Sequence, residues 1–269
     1  MTTAFPMLNA PPRASKPRTK ALTFLSEVGI SLRTTEDLLE TAHMIIDCAK
    51  ITDHLGLIER LSEPWLRKKI ALYERFGIPV LPGGVPFQIA VLQGVVEEYL
   101  KRVRDLGFVG VELSEDVIPP LARAEREDFI GRARSLGLKV TTEVGRKNRD
   151  VEFDPQTVKS QILSDVELGV ANVYIESSEI QALSQRDAEA LDGLAALGGG
   201  NVVLFELGLK APQEKAAWLV ERYGPLINFA SVSPHDIVAV DAIRVGMHRM
   251  AGYHYLSSGV ASSVVKSRN

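Results

Sequence analysis

Five glutamates close apolar runs rich in β-branched residues: Leu22–Glu27, Phe108–Glu112, Lys139–Glu143, Ala171–Glu176 and Asn201–Glu206. A helix-like segment follows each run. If the runs are parallel strands of one barrel, their C-terminal ends share a rim. Glu27, Glu112, Glu143, Glu176 and Glu206 would then converge on one mouth. Carboxylates gathered so closely repel one another unless a cation compensates them. All-oxygen ligands select a hard divalent ion, so the cluster points to Mg2+. The same rim would receive Lys50, Gly83-Gly84, Ser114, Arg146-Lys147, Lys210 and Asn228. Cationic side chains facing a carboxylate-held metal suit a small anionic substrate. Gly83-Gly84, after Pro82, reads equally as a plain turn or as a close backbone approach to an anion.

The elements that must position these residues alternate strand and helix. Strand candidates are Leu22–Ser26, Ile45–Ala49, Ile78–Leu81, Phe108–Leu113, Lys139–Thr142, Asn172–Ile175, Val202–Phe205 and Leu226–Ala230. Their spacing of roughly 30 residues is the size of one βα unit. They are continuous apolar runs rather than strict alternations, as in a parallel sheet covered on its outer face. Helix starts are expected at Thr34-Thr35-Glu36-Asp37, Asp154-Pro155, Ser184-Gln185-Arg186-Asp187 and Ser233-Pro234-His235-Asp236. Helix stops are expected at Gly77, Gly107, Gly137, Gly169 and Gly224. Together these predict one (β/α)8 TIM barrel over residues 21–256, with an open doubly wound sheet as the alternative. Residues 1–20, rich in proline and basic side chains and free of acids, read as a disordered or wrapped arm. Residues 257–269 read as a flexible tail.

A net charge of −3 argues against a nucleic-acid binder, which carries a strongly basic domain. No apolar run reaches the ~18 residues needed to span a bilayer. Cys48 is the only cysteine, so an internal disulfide is excluded and a small core residue is expected. The first twenty residues lack the apolar core of a signal peptide, which makes the cytoplasm the expected location. The expected partners are a small anionic substrate and further copies of the chain, with no nucleic acid and no membrane.

The motifs resemble the phosphosulfolactate synthase family. The stretches that carry the resemblance include Ile46-Asp47-Cys48-Ala49-Lys50, Gly77 to Gly84, Glu112-Leu113-Ser114, Thr142 to Lys147, Ile175-Glu176, Phe205-Glu206 and Asn228 to Arg244. Pro82-Gly83-Gly84 and Glu143-Val144-Gly145-Arg146-Lys147 are the most specific. The resemblance implies a (β/α)8 barrel and Mg2+-dependent addition of sulfite to phosphoenolpyruvate, giving (2R)-phospho-3-sulfolactate. It further implies Lys147 as the general acid, the strand-end glutamates as the shell of the metal, and Lys50, Arg146 and Lys210 as neutralisers of phosphate and sulfite. The chain departs from the family pattern in its anion loops. Thr52-Asp53-His54-Leu55-Gly56 replaces Gly-Trp-Gly-Thr-Ser, Val85 follows Gly83-Gly84 in place of threonine, and Ser178 stands where the family has arginine. These losses leave room for a divergent substrate or nucleophile, or for a non-catalytic role.

Overall fold

Each expected strand becomes a hydrogen-bonded one, although six begin one to three residues later than their apolar runs. The structure, a computed structural model, describes residues 4–8, 13–52, 60–145 and 154–251. The strands are β1 Thr23–Glu27, β2 Cys48–Ile51, β3 Val80–Pro82, β4 Gly110–Leu113, β5 Lys139–Val144, β6 Asn172–Ile175, β7 Val203–Glu206 and β8 Phe229–Val232. They pair in parallel in the order β3-β2-β1-β8-β7-β6-β5-β4. The two ends of that order meet where Val109 N donates to Val80 O at 3.0 Å. Around them lie α1 Leu32–Ala42, α2 Glu63–Arg75, α3 Val85–Gln93, α4 Val96–Leu106, α5 Arg123–Ser135, α6 Pro155–Glu167, α7 Ser177–Arg186, α8 Ala188–Ala195, α9 Pro212–Tyr223 and α10 Ile237–Arg244. The fold is the (β/α)8 barrel, nearly closed, and the open sheet is excluded.

β2 and β8 start latest, three residues late each. His43–Ile45 winds into a 3-10 turn, so β2 begins at Cys48 rather than Ile45. β8 begins at Phe229, three residues after Leu226. Of the expected helix starts, Asp154 caps α6 by accepting from Gln156 N and Thr157 N. α1, in contrast, is capped by Ser31, which accepts from Thr34 N at 3.1 Å, three residues before the expected box. Ser184 lies inside α7, and Asp187 caps α8 instead. All five expected stop glycines have positive φ, where a side chain would be strained.

Strand parity divides the buried residues into two layers. Leu22, Phe24, Cys48, Leu81, Tyr174, Leu204 and Ala230 fill the barrel interior as one cluster. Their neighbours Leu25, Ala49, Val80, Val173, Val203 and Phe229 belong to the larger core between sheet and helices. Residues two further along the inward parity, at the C-terminal ends, therefore face the mouth.

The opposite, N-terminal end is stitched by Asn228 and Arg244. Asn228 Oδ1 accepts from Leu22 N at 3.0 Å, and its Nδ2 donates to Gly200 O and Val203 O. Arg244 donates to Pro225 O and Leu22 O and lies 4.4 Å over the Phe229 ring. The expectation that Asn228 sits on the catalytic rim is therefore corrected; it precedes β8 and ties β8 to β1. Residues 13–20 also lie against this end. Arg13 pairs with Asp241, Arg18 with Asp47, and Lys16 donates to His43 O. The tail 257–269 and parts of the arm, 1–3 and 9–12, lie outside the described residues.

Candidate functional site

Glu143 is the penultimate residue of β5, Glu176 directly follows β6, and Glu206 ends β7, three adjacent strands. Each side chain offers an oxygen within 4.8 Å of the other two, and all three residues are buried. Inward parity explains the meeting. Glu176 and Glu206 each stand two residues past an interior residue, Tyr174 and Leu204, which are register partners. Burial of like charges makes ionisation difficult. The Glu176 carboxyl is pushed up to about 9, by burial first and then by Glu206 and Glu143. Glu143 is raised by burial and by Glu206.

The other acids and Lys50 form a second tier. Lys50 points inward from β2, not from the loop after it. Its Nζ lies 3.0 Å from Glu112 Oε2, 3.3 Å from Glu206 Oε1 and 4.9 Å from the Tyr174 ring centroid. Burial works against its charge, but Glu112 and Glu206 outweigh it and hold Lys50 well above the ordinary lysine range. Glu112 pairs across the sheet with Thr141, not Glu143, and its carboxylate goes to Lys50. Burial pushes Glu112 up to about 8, against the pull of Lys50. Ser114 Oγ lies 2.6 Å from Glu143 Oε2 and accepts from Gln88 Nε2 at 3.1 Å.

These positions correct one expectation and add partners to two others. Glu27 does not reach the mouth. It shares the outward parity of Leu25, pairs with fully buried Lys69 at 3.3 Å, and accepts from Ile30 N. Glu112 pairs with Lys50 and lines the same cavity as the trio. Lys50 lines the cavity and pairs there with Glu112 and Glu206. Gly83 and Gly84 do line the mouth. Gly83 N donates to Ile51 O, so it serves the sheet. A Cβ on Gly84 would lie 2.5 Å from Ser114 Cβ and 2.9 Å from Glu112 Oε1, so only glycine fits there. Lys210 is exposed and lines the cavity. Arg146 and Lys147 lie outside the described residues. The chain leaves β5 through Gly145, at φ +103, where a Cβ would press on Glu176 Cβ and Glu179 Cγ at 2.9 and 2.7 Å.

The cavity at this mouth encloses about 610 Å³. Sequence reasoning missed Gln88, Asp116, Ser231 and Lys215 in its wall. Ser231 has φ +53 beside a register shift in the β1–β8 pairing, and its hydroxyl donates to Glu206 Oε1. A bulge at a barrel rim commonly re-aims a side chain in this way. Lys215, in the first turn of α9, donates to Ser177 Oγ and to Leu207 O. No motif marks it, because only the packing of α9 on the mouth brings it there.

The trio fits a small divalent cation. Octahedral Mg2+–oxygen bonds of about 2.1 Å place neighbouring ligand oxygens about 3 Å apart and opposed ones about 4 Å apart. The observed limit of 4.8 Å brackets that spacing before the side chains adjust. Buried Glu176 lies against the carboxyls of Glu206 and Glu143, which raise it, a crowding of acids that a cation between them would relieve.

Residues 11–249 match the family described as (2R)-phospho-3-sulfolactate synthase (ComA). The chain is 28% identical over 244 residues to the phosphosulfolactate synthase of Methanothermobacter thermautotrophicus, covering 88% of this chain and 93% of that protein. It is 29% identical over 237 residues to the phosphosulfolactate synthase of Methanocaldococcus jannaschii, covering 85% and 92%. The solved 4-hydroxy-tetrahydrodipicolinate synthase of Methylacidiphilum fumariolicum shares the fold alone. It aligns at TM-score 0.53 and 15% identity, over 87% of this chain and 74% of that one. Among the described residues no helix is long and apolar enough to cross a membrane.

Proposed function

Because the chain belongs to the phosphosulfolactate synthase family, we propose that it is a carbon–sulfur lyase adding sulfite to phosphoenolpyruvate with Mg2+, giving (2R)-phospho-3-sulfolactate. The observation that carries this reading is the meeting of Glu143, Glu176 and Glu206 in a buried cavity. The sulfite lone pair forms the C–S bond at C3, electron density from the C2–C3 double bond moves towards the substrate carboxylate, and a proton added at C2 completes the reaction. A divalent cation on the three glutamates would supply positive charge to that carboxylate as its negative charge grows. Lys50 offsets the charge of Glu112 and Glu206 and keeps the neighbouring acids in place. Ser114, held by Gln88, orients Glu143. Lys147 is the proton donor of this reading, two residues beyond Gly145. The test is incubation with phosphoenolpyruvate, sulfite and Mg2+ followed by mass spectrometry. A product with the mass of the adduct, absent without sulfite, supports the proposal; phosphoenolpyruvate recovered unchanged overturns it.

A second reading keeps the enol substrate and changes the nucleophile. It is favoured by Ser178, a small side chain lining the cavity where the family pattern has arginine. Consumption of phosphoenolpyruvate with another nucleophile, and not with sulfite, would establish it.

A further inference from the structure

We propose that Lys215, seconded by Lys210, is the subsite for an oxyanion of the substrate, the group that does not sit on the metal. This rests on the reading of the mouth as a site for anionic substrates. The buried lysine of the interior, Lys50, is occupied by Glu112 and Glu206, so its charge is spent within the protein. Lys215 differs. It is half-buried, and its hydrogen bonds go to a hydroxyl and a carbonyl, Ser177 Oγ and Leu207 O, the latter at 2.6 Å. Both acceptors are neutral, so they fix the ammonium without cancelling its charge. An ammonium has three N–H donors; these two bonds leave one for a ligand.

The surroundings keep that ammonium accessible. Gly208 lines the same cavity at φ +63. A Cβ there would stand 3.8 Å from Lys215 Nζ and 2.9 Å from Ser177 Oγ. Any side chain at this position would crowd the lysine and its tether. Lys210 lines the wall beside them. Burial lowers the Lys215 ammonium from its ordinary value, and the charges of Glu176 and Glu206 work against that lowering. An oxyanion on Lys215 would thus share one cavity with the carboxylate trio, as a small substrate with two anionic groups requires. The chemistry recognised is that of phosphate or sulfite.

The experiment titrates inorganic phosphate and sulfite separately into the Mg2+-loaded full chain by calorimetry. Wild type, Lys215→Met, Lys215→Gln and Lys210→Met are compared, with melting temperatures as the folding control. Loss of a charge-assisted hydrogen bond weakens binding by about 10- to 100-fold. That loss is expected in both Lys215 variants, with a smaller one in Lys210→Met. Weakening for phosphate alone, or for sulfite alone, supports the subsite and states which anion it takes. Wild type binding neither probe, or folded Lys215 variants binding both as wild type does, overturns it. If wild type forms no adduct yet needs Lys215 to bind phosphate, the subsite stands and the proposed reaction falls. If Lys215→Met turns over with unchanged KM, the subsite falls and the reaction stands.

Discussion

Replacing Glu176 by glutamine separates the electrostatics of the carboxylate trio from its metal chemistry. In the metal-free protein the Glu176 carboxyl is pushed up to about 9, from an ordinary value of 4.5, by burial and by Glu206 and Glu143. A carboxyl raised on folding contributes its full stability below the unfolded value. That stability is lost as pH rises through the window up to the folded value. The slope inside the window is about 1.4 kcal/mol per pH unit. Glutamine is isosteric with the neutral acid and does not titrate. Between about pH 6 and about pH 8, wild type should therefore lose about 3 kcal/mol more stability than Glu176→Gln. The comparison is urea unfolding followed by circular dichroism, in chelator, at both pH values. Mg2+ at a hundred times its dissociation constant should then return about 2.7 kcal/mol to wild type and much less to the variant. Parallel pH dependences in chelator would refute the reasoning, because Glu176 would then not be a buried acid crowded by its neighbours.

Three further outcomes follow from the same geometry. Lys50→Met removes the counter-charge beside Glu112 and Glu206 in the interior and should cost about 3–5 kcal/mol in urea unfolding at about pH 9, where Glu112 is charged. The loss should shrink as pH falls below about 8, where Glu112 is protonated in the folded chain. Glu27→Gln removes the partner of buried Lys69 and should destabilise by about 3 kcal/mol while leaving Mg2+ affinity, read by calorimetry, unchanged; a lost metal site would contradict the outward placement of Glu27. Lys147→Met should lower turnover about 10²–10⁴-fold with an unaltered melting temperature, and normal turnover would remove the general-acid role.

The barrel was legible because its punctuation is local. Glycines that require positive φ and Asp154 before a proline act within one turn of chain. The ends of β2 and β8 were less legible because apolar residues such as Ile46 and Ile227 are buried before sheet pairing starts, and an apolar run reports burial rather than hydrogen bonding. The trio was legible because strand ends in a parallel barrel share a rim. Glu27 was misplaced because ending a strand sets the height of a residue, whereas parity sets its face. Counting back from Glu27 to outward Leu25 would have separated it from the others. Lys215 and Ser231 were not legible at all, since one depends on helix packing and the other on a bulge in β8.

The central claim is that Glu143, Glu176 and Glu206 hold a divalent cation. Crystals grown with Mn2+, and measured for its anomalous scattering, test it most directly. The account requires a peak within coordination distance of all three carboxylates, lost in Glu176→Gln. Well-ordered carboxylates sharing protons with one another, and no peak between them at saturating Mn2+, would contradict it.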